Sequence, residues 1–349
     1  MCSYLYYGKE TPQVNKELEN GVSYNRRMQH RTLGPLGPIS EIGYGMWGMG
    51  GWTGSDDQES ARALDRAFAL GCTFFDTAWV YGLGKSERLL GESLRRNRGH
   101  KAIVATKIPP KNMKWPARED VDVAEAYPAE HIRRYTKKSL ENLGVDQIDL
   151  QQFHVWNDHW ASDAGWQRAV KDLKASGAVR AFGISVNRWE PENVLGALET
   201  GLIDSVQVVY NVFDQSPEDA LFPYCQRDGI GIIARVPFDE GSLTGTLSGS
   251  SSWPQGDWRN TYFSPENLTA TLPRIERLGP LVPAGMDLPE MALRFILGHP
   301  AVTTVIPGMR RVAHVERNLA ASDGDHLPPR LREALGAHRW DRTPPDGPL

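Results

Sequence analysis

Cysteine is scarce, with three in 349 residues at Cys2, Cys72 and Cys225 and no CxxC pair. That excludes a disulfide framework and a thiolate zinc centre, and it predicts a reducing, cytoplasmic setting. No apolar run approaches the ~18 residues of a membrane span. The N-terminal stretch carries no secretory apolar segment. Charge of one sign is lacking too: 39 Lys and Arg against 43 Asp and Glu leave a formal −4. Without a basic block, neither a nucleic acid nor an anionic membrane is an expected partner. No GxGxxG opens a helix, which counts against an open dinucleotide-binding sheet. No HxH or paired-carboxylate cluster follows a strand, which ranks a metal-dependent hydrolase last and predicts no metal.

What recurs is a helix-like segment, a glycine and a short β-rich run. Asp56 and Glu59 have capping-box spacing, Ala61, Leu64 and Phe68 share a helical face, Gly71 ends the helix, and Cys72–Phe75 follows. Gly144, Gly177, Gly201, Gly229 and Gly298 each precede a further strand candidate. Two more, Ile42–Gly45 and Ala102–Thr106, bring the series to eight. Strands alternating with helices pair in parallel, and eight such units predict a closed (β/α)8 TIM barrel. Residues 28–40 predict a hairpin plugging its bottom. About fifty residues after Arg235 form an insertion at the seventh strand's carboxyl end, a length usual for functional loops, with a helix near 265–280. Residues 1–27 are read as a disordered extension, 28–340 as one domain and 341–349 as a tail.

A barrel gathers functional groups at the carboxyl ends of its strands. Asp76, Lys107, His154 and Ser185 directly follow apolar runs there, Gln207 lies within the sixth strand, and Arg235 caps the seventh. Singly each is an ordinary core or rim residue; their shared position is the signal.

The motifs Asp76-Thr77-Ala78-Trp79-Val80-Tyr81-Gly82, Ser86-Glu87-Arg88-Leu89-Leu90-Gly91, Ala105-Thr106-Lys107, Phe153-His154, Gly183-Ile184-Ser185 and Ile306-Pro307-Gly308-Met309-Arg310 occur in that order. Over about 28–322 the chain resembles the aldo-keto reductases. The resemblance implies a (β/α)8 barrel and NADPH-dependent reduction of a small-molecule carbonyl, with Asp76, Tyr81, Lys107 and His154 as the catalytic tetrad. The chemistry suits those types. Hydride delivered to a carbonyl carbon leaves charge on oxygen, which an acid must protonate. An ammonium about 4 Å from a phenol is worth roughly 4 kcal/mol at an effective dielectric of 20, so Lys107 would make Tyr81 more acidic. Asp76 would hold Lys107, and His154 would aim the carbonyl oxygen.

The same resemblance puts Ser185 and Gln207 on the nicotinamide carboxamide and Arg235 where relatives stack a tyrosine. It folds Gly241–Gly245, including Leu243, over the pyrophosphate. Around the adenosine it sets Gly308, Arg310, His314 and Asn318, with Arg310 on a 2′-phosphate, favouring NADPH over NADH. Here Asn187 is displaced by one from the family's usual place, Val186 standing between it and Ser185. Trp47, Trp79, Trp115 and Trp156 are read as walls of the mouth, with Trp52 and Trp160 on similar loops; large aromatic walls favour an apolar or aromatic carbonyl. The alternative is a nucleotide-binding regulatory subunit with little turnover on the same barrel. The oligomeric state stays open.

Overall fold

A computed structural model describes residues 28–51 and 54–342. The 1–27 extension, Trp52 and most of the 341–349 tail lie outside the described residues. The chain opens with β1 (His30–Thr32) and β2 (Pro38–Ser40), an antiparallel hairpin. Eight parallel strands follow in sequence order: β3 (Tyr44–Gly45), β4 (Phe74–Asp76), β5 (Ile103–Ile108), β6 (Ile148–Phe153), β7 (Val179–Ser185), β8 (Ser205–Val209), β9 (Gly231–Arg235) and β10 (Val302–Val305). Parallel bridges Ile42↔Val305 and Gly45↔Gly308 join the last strand to the first and close the barrel, with Gly43 N donating to Val305 O at 2.8 Å. Each expected strand is present, and each begins one to three residues later than expected.

The strand register sorts the inside from the outside. Successive side chains alternate across a strand, so Ile103, Ala105 and Lys107 share one face of β5, and Leu150 and Gln152 share one face of β6. The lower positions of these faces join Leu33, Leu36 and Ile39 of the hairpin in a separate apolar cluster with Phe74, Ala181, Ile233 and Ile306. The hairpin thus seals the bottom, and polar residues are left for the top. The opposite faces pack on the helices: Phe68 stacks on Phe75 with ring centroids 4.4 Å apart, and fully burying one such ring is worth about 1.5–3 kcal/mol.

Local signals worked with two amendments. Asp56 caps the Asp57–Ala69 helix, accepting from Gln58 N at 2.8 Å and Glu59 N at 3.1 Å. The return half of the box is replaced, because Glu59 accepts from Val312 N at 3.1 Å and so joins a distant helix. The buried face is Ala63, Leu64, Ala67 and Phe68, with Ala61 at its edge. Gly298 ends the Leu288–Leu297 helix with φ −67°, so it makes no left-handed stop. The insertion between β9 and that helix holds the Pro265–Leu278 helix near its expected place.

Candidate active site

Strand ends deliver four groups to one point. Lys107 is fully buried on β5; its Nζ donates to Asp76 Oδ2 at 2.5 Å, to Thr77 O at 2.9 Å and to Tyr81 Oη at 3.4 Å. Asp76 ends β4, and its Oδ1 accepts from Gln207 Nε2 at 2.8 Å and Gln152 Nε2 at 3.3 Å. The Tyr81 and His154 rings lie edge to face, 5.6 Å between centroids. Trp115 also meets His154 edge to face, at 5.8 Å between centroids. Tyr81 is set by a glycine contact. Gly82 has φ +66°, and a Cβ there would fall 2.5 Å from Gly50 O; a Cβ on Gly50 would fall 2.6 Å from Tyr81 C. Only glycines let the loops carrying Trp47 and Tyr81 touch backbone to backbone.

Burial and charge compete at each group. Burial pushes the Tyr81 phenol up; Lys107 pulls it down and Asp76 pushes it up again, and the balance lies above the ordinary 10.0. The expected pull of the ammonium is present, and desolvation outweighs it. Burial would lower the Lys107 ammonium, but Asp76 and Tyr81 hold it above its usual range. Burial, then Lys107 and Arg235, hold the His154 imidazolium well below 6.5. At neutral pH the site presents a protonated phenol, an ammonium and a neutral imidazole.

The remaining expected residues divide. Ser185 ends β7 opposite Gln207 on β8, and the Gln207 amide donates to Asp76. Arg235 ends β9, with Nη2 donating to Val186 O at 3.1 Å and a buried Nε without a partner among the described residues. Burial, then Arg188, pushes its guanidinium down to about 10. Gly241, at φ +115°, and Gly245, at φ +76°, bracket the buried Leu243. Nothing stands within 4 Å of a Cβ added at Gly308, Gly241 or Gly245, so the backbone there is open to a ligand. Arg310, Arg311 and Arg259 lie close enough that the last two depress the first, after burial. Burial, then Arg311, Arg310 and Arg317, keeps His314 low. Asn318 is buried in the same Val312–Ala320 helix.

Two tryptophans do not stand at the mouth. Trp156 is fully buried, 5.2 Å from Trp166 and stacked on Phe153, with its indole N–H on Asp158. Trp79 packs edge-on against Tyr135, with Lys138 over its face, on the Ala129–Leu143 helix. Trp160 is likewise buried, donating to Val121 O. Trp47 stays 42% exposed, and Trp115 keeps its place beside His154.

Sequence reasoning missed Gln152, whose signal was its place two residues before His154 on the same strand face. It also missed the use of Asn187. That side chain accepts from Ala117 N at 3.0 Å and donates to Ala117 O at 2.8 Å, pinning the Trp115 loop.

The family model for the aldo/keto reductase family matches residues 41–330. The chain belongs to the aldo/keto reductase family. Among its family relatives, an uncharacterized oxidoreductase of Bacillus subtilis, YqkF, is 30% identical over 89% of this chain and 96% of its own. An NADH-specific methylglyoxal reductase of Escherichia coli is 28% identical over 82% of this chain and 92% of its own. The solved glycerol dehydrogenase of Gluconobacter oxydans superposes with a TM-score of 0.72 at 25% identity, over 94% of this chain and all of that one. The aldo/keto reductase barrel is thus shared along nearly the full length of each.

Proposed function

We propose that this aldo/keto reductase reduces the carbonyl of an aldehyde or ketone to an alcohol, with Tyr81 as the acid and NADPH as the reductant. The observation that carries the reading is Lys107 Nζ bridging Asp76 and Tyr81 beside a neutral His154. The dinucleotide's fit is supported by the open backbone at Gly241, Gly245 and Gly308 and by the unpartnered Nε of Arg235. When bound, the nicotinamide supplies hydride.

The chain's own residues do the rest. Tyr81, held protonated, donates its proton to the oxygen as negative charge develops there. Lys107 steadies the phenolate left behind, and Asp76, itself braced by Gln152 and Gln207, fixes the ammonium. A neutral His154 orients the carbonyl oxygen through a ring N–H without adding a competing acid. Ser185 and Arg235 flank the carboxamide end, Gly241–Gly245 offers backbone N–H groups to the pyrophosphate, and His314 and Asn318 flank the adenine. Arg310 and Arg311, beside the Arg259–Asp257 ion pair, carry the positive charge that a 2′-phosphate would neutralise, which favours NADPH even though one relative is NADH-specific by name. Trp47 and Trp115 supply apolar walls for the substrate. The test is a panel of aldehydes and ketones with NADPH and with NADH, followed at the nicotinamide absorbance band. Turnover of at least one carbonyl with NADPH is expected; no oxidation of either nucleotide across the panel would defeat the reading.

A further inference from the structure

The segment between β9 and the dinucleotide loop is held in an unfavourable backbone shape. Val236, Asp239 and Glu240 have φ of 56°, 45° and 55°, all left-handed and none a glycine. Side-chain-bearing residues stay in that region only where their surroundings over-determine them. What fixes them here is a buried ion cluster, and its central cation comes from the other end of the chain.

Arg342 lies beyond the last barrel helix, Pro329–Gly336, where the sequence suggested a tail. Its side chain is 5% exposed. Its Nη2 donates to Asp214 Oδ2 at 2.5 Å and to Asp239 Oδ1 at 2.9 Å, and its Nη1 donates to Tyr262 Oη at 2.5 Å. Asp239 also accepts from Tyr262 Oη at 2.5 Å and from Ser242 Oγ at 2.7 Å, so the carboxylate reaches into the Gly241–Gly245 loop itself. Asn211, bonded to Asp214 at 2.8 Å, donates to Val236 O at 3.1 Å. Glu240 pairs with Arg188. Two fully desolvated carboxylates, Asp214 and Asp239, therefore converge on one guanidinium. Remove it and they repel each other, and the strained turn loses the group that spans it.

The geometry points to Arg342 as a positioning residue for the dinucleotide: it latches the 236–245 turn in place and thereby sets how fast nucleotide leaves. This inference rests on the cofactor reading above, because it requires the dinucleotide under Gly241–Gly245. The latch acts on the loop from behind, at a distance from Tyr81, so it governs retention of the nucleotide and leaves the hydride step alone.

The experiment is transient kinetics on the full chain, following tryptophan fluorescence as bound NADPH is displaced. Arg342→Ala is expected to raise the dissociation rate constant roughly tenfold or more, most of any affinity loss appearing in release. Single-turnover reduction of preloaded enzyme should stay within about twofold, a split that general loss of structure would not produce. Should Arg342→Ala fail to fold, Arg342→Lys keeps one charge without the fork and should still speed release, and Asp214→Asn paired with Arg342→Ala removes the repulsion while leaving the turn unlatched. Guanidinium ion added to Arg342→Ala should slow release again. Release unchanged in the soluble variants would overturn the latch. Wild-type protein that binds no nicotinamide dinucleotide would instead overturn the cofactor reading beneath it.

Discussion

Replacing Lys107 by Met removes the charge that the site is built around while keeping a chain of similar length. The ammonium sits 3.4 Å from Tyr81 Oη. At an effective dielectric of 20, that separation is worth about 5 kcal/mol to a full phenolate. If proton transfer is about half complete in the transition state, roughly half of this reaches the barrier, a loss of about 60-fold. The equilibrium between carbonyl and alcohol is unaffected by the enzyme. At one pH the loss in kcat/KM, each divided by the dissociation constant of its own nucleotide, must therefore be equal in the two directions, which gives the assay an internal check. A second consequence is structural. Asp76, 2% exposed, would keep only the two glutamine amides. Stranding a buried carboxylate costs about 3–5 kcal/mol, so kinetics must be paired with a urea titration and run where the variant is folded. A folded Lys107→Met variant with kcat/KM within threefold of wild type in both directions would refute the argument.

Other outcomes follow from the same geometry. Reduction kcat/KM should be flat between about pH 6 and 9 with no step near 6.5, because His154 stays neutral throughout. It should fall only as pH rises through the Tyr81 value above 10, since the acid form is present below that value and lost above it; a bell centred near pH 6 would contradict this. Arg310→Ala should weaken NADPH binding by 10- to 100-fold, the scale of one or two charge-assisted hydrogen bonds, and NADH binding by far less; equal losses by calorimetry would remove Arg310 from the 2′-phosphate. Asn187→Leu breaks the link to Ala117 and should free the Trp115 loop, raising KM for the carbonyl by about tenfold at constant NADPH affinity. An unchanged KM would leave Asn187 a purely local brace.

Much of this was legible in the sequence, for reasons visible at particular residues. The helix–glycine–strand repeat showed because strands buried on both faces read as apolar runs, and Gly71, Gly144 and Gly229 take the left-handed stops that only glycine takes cheaply. Asp76, Lys107 and His154 showed because each directly follows such a run. What the sequence concealed depends on side-chain direction or on contacts between distant segments. Trp79 and Trp156 lie on post-strand loops but point to the helices, and loops carry no fixed period to reveal it. The Gln207 amide donates to Asp76, a contact set by a carboxylate 131 residues away. The Tyr81 phenol ends above its ordinary value because desolvation, the largest influence, and the Asp76 charge outweigh the pull of the Lys107 ammonium. Arg342 gave no local signal, because its partners Asp214, Asp239 and Tyr262 come from two other loops.

The central claim is that the Tyr81 hydroxyl is the proton donor. Single turnover of Tyr81→Phe, saturated with NADPH and mixed with a carbonyl that the wild-type enzyme reduces, tests it most directly. The rate should drop by about 10²- to 10⁴-fold, the usual weight of a positioned acid, while NADPH affinity stays within twofold. A rate close to wild type with the nucleotide still bound would contradict it.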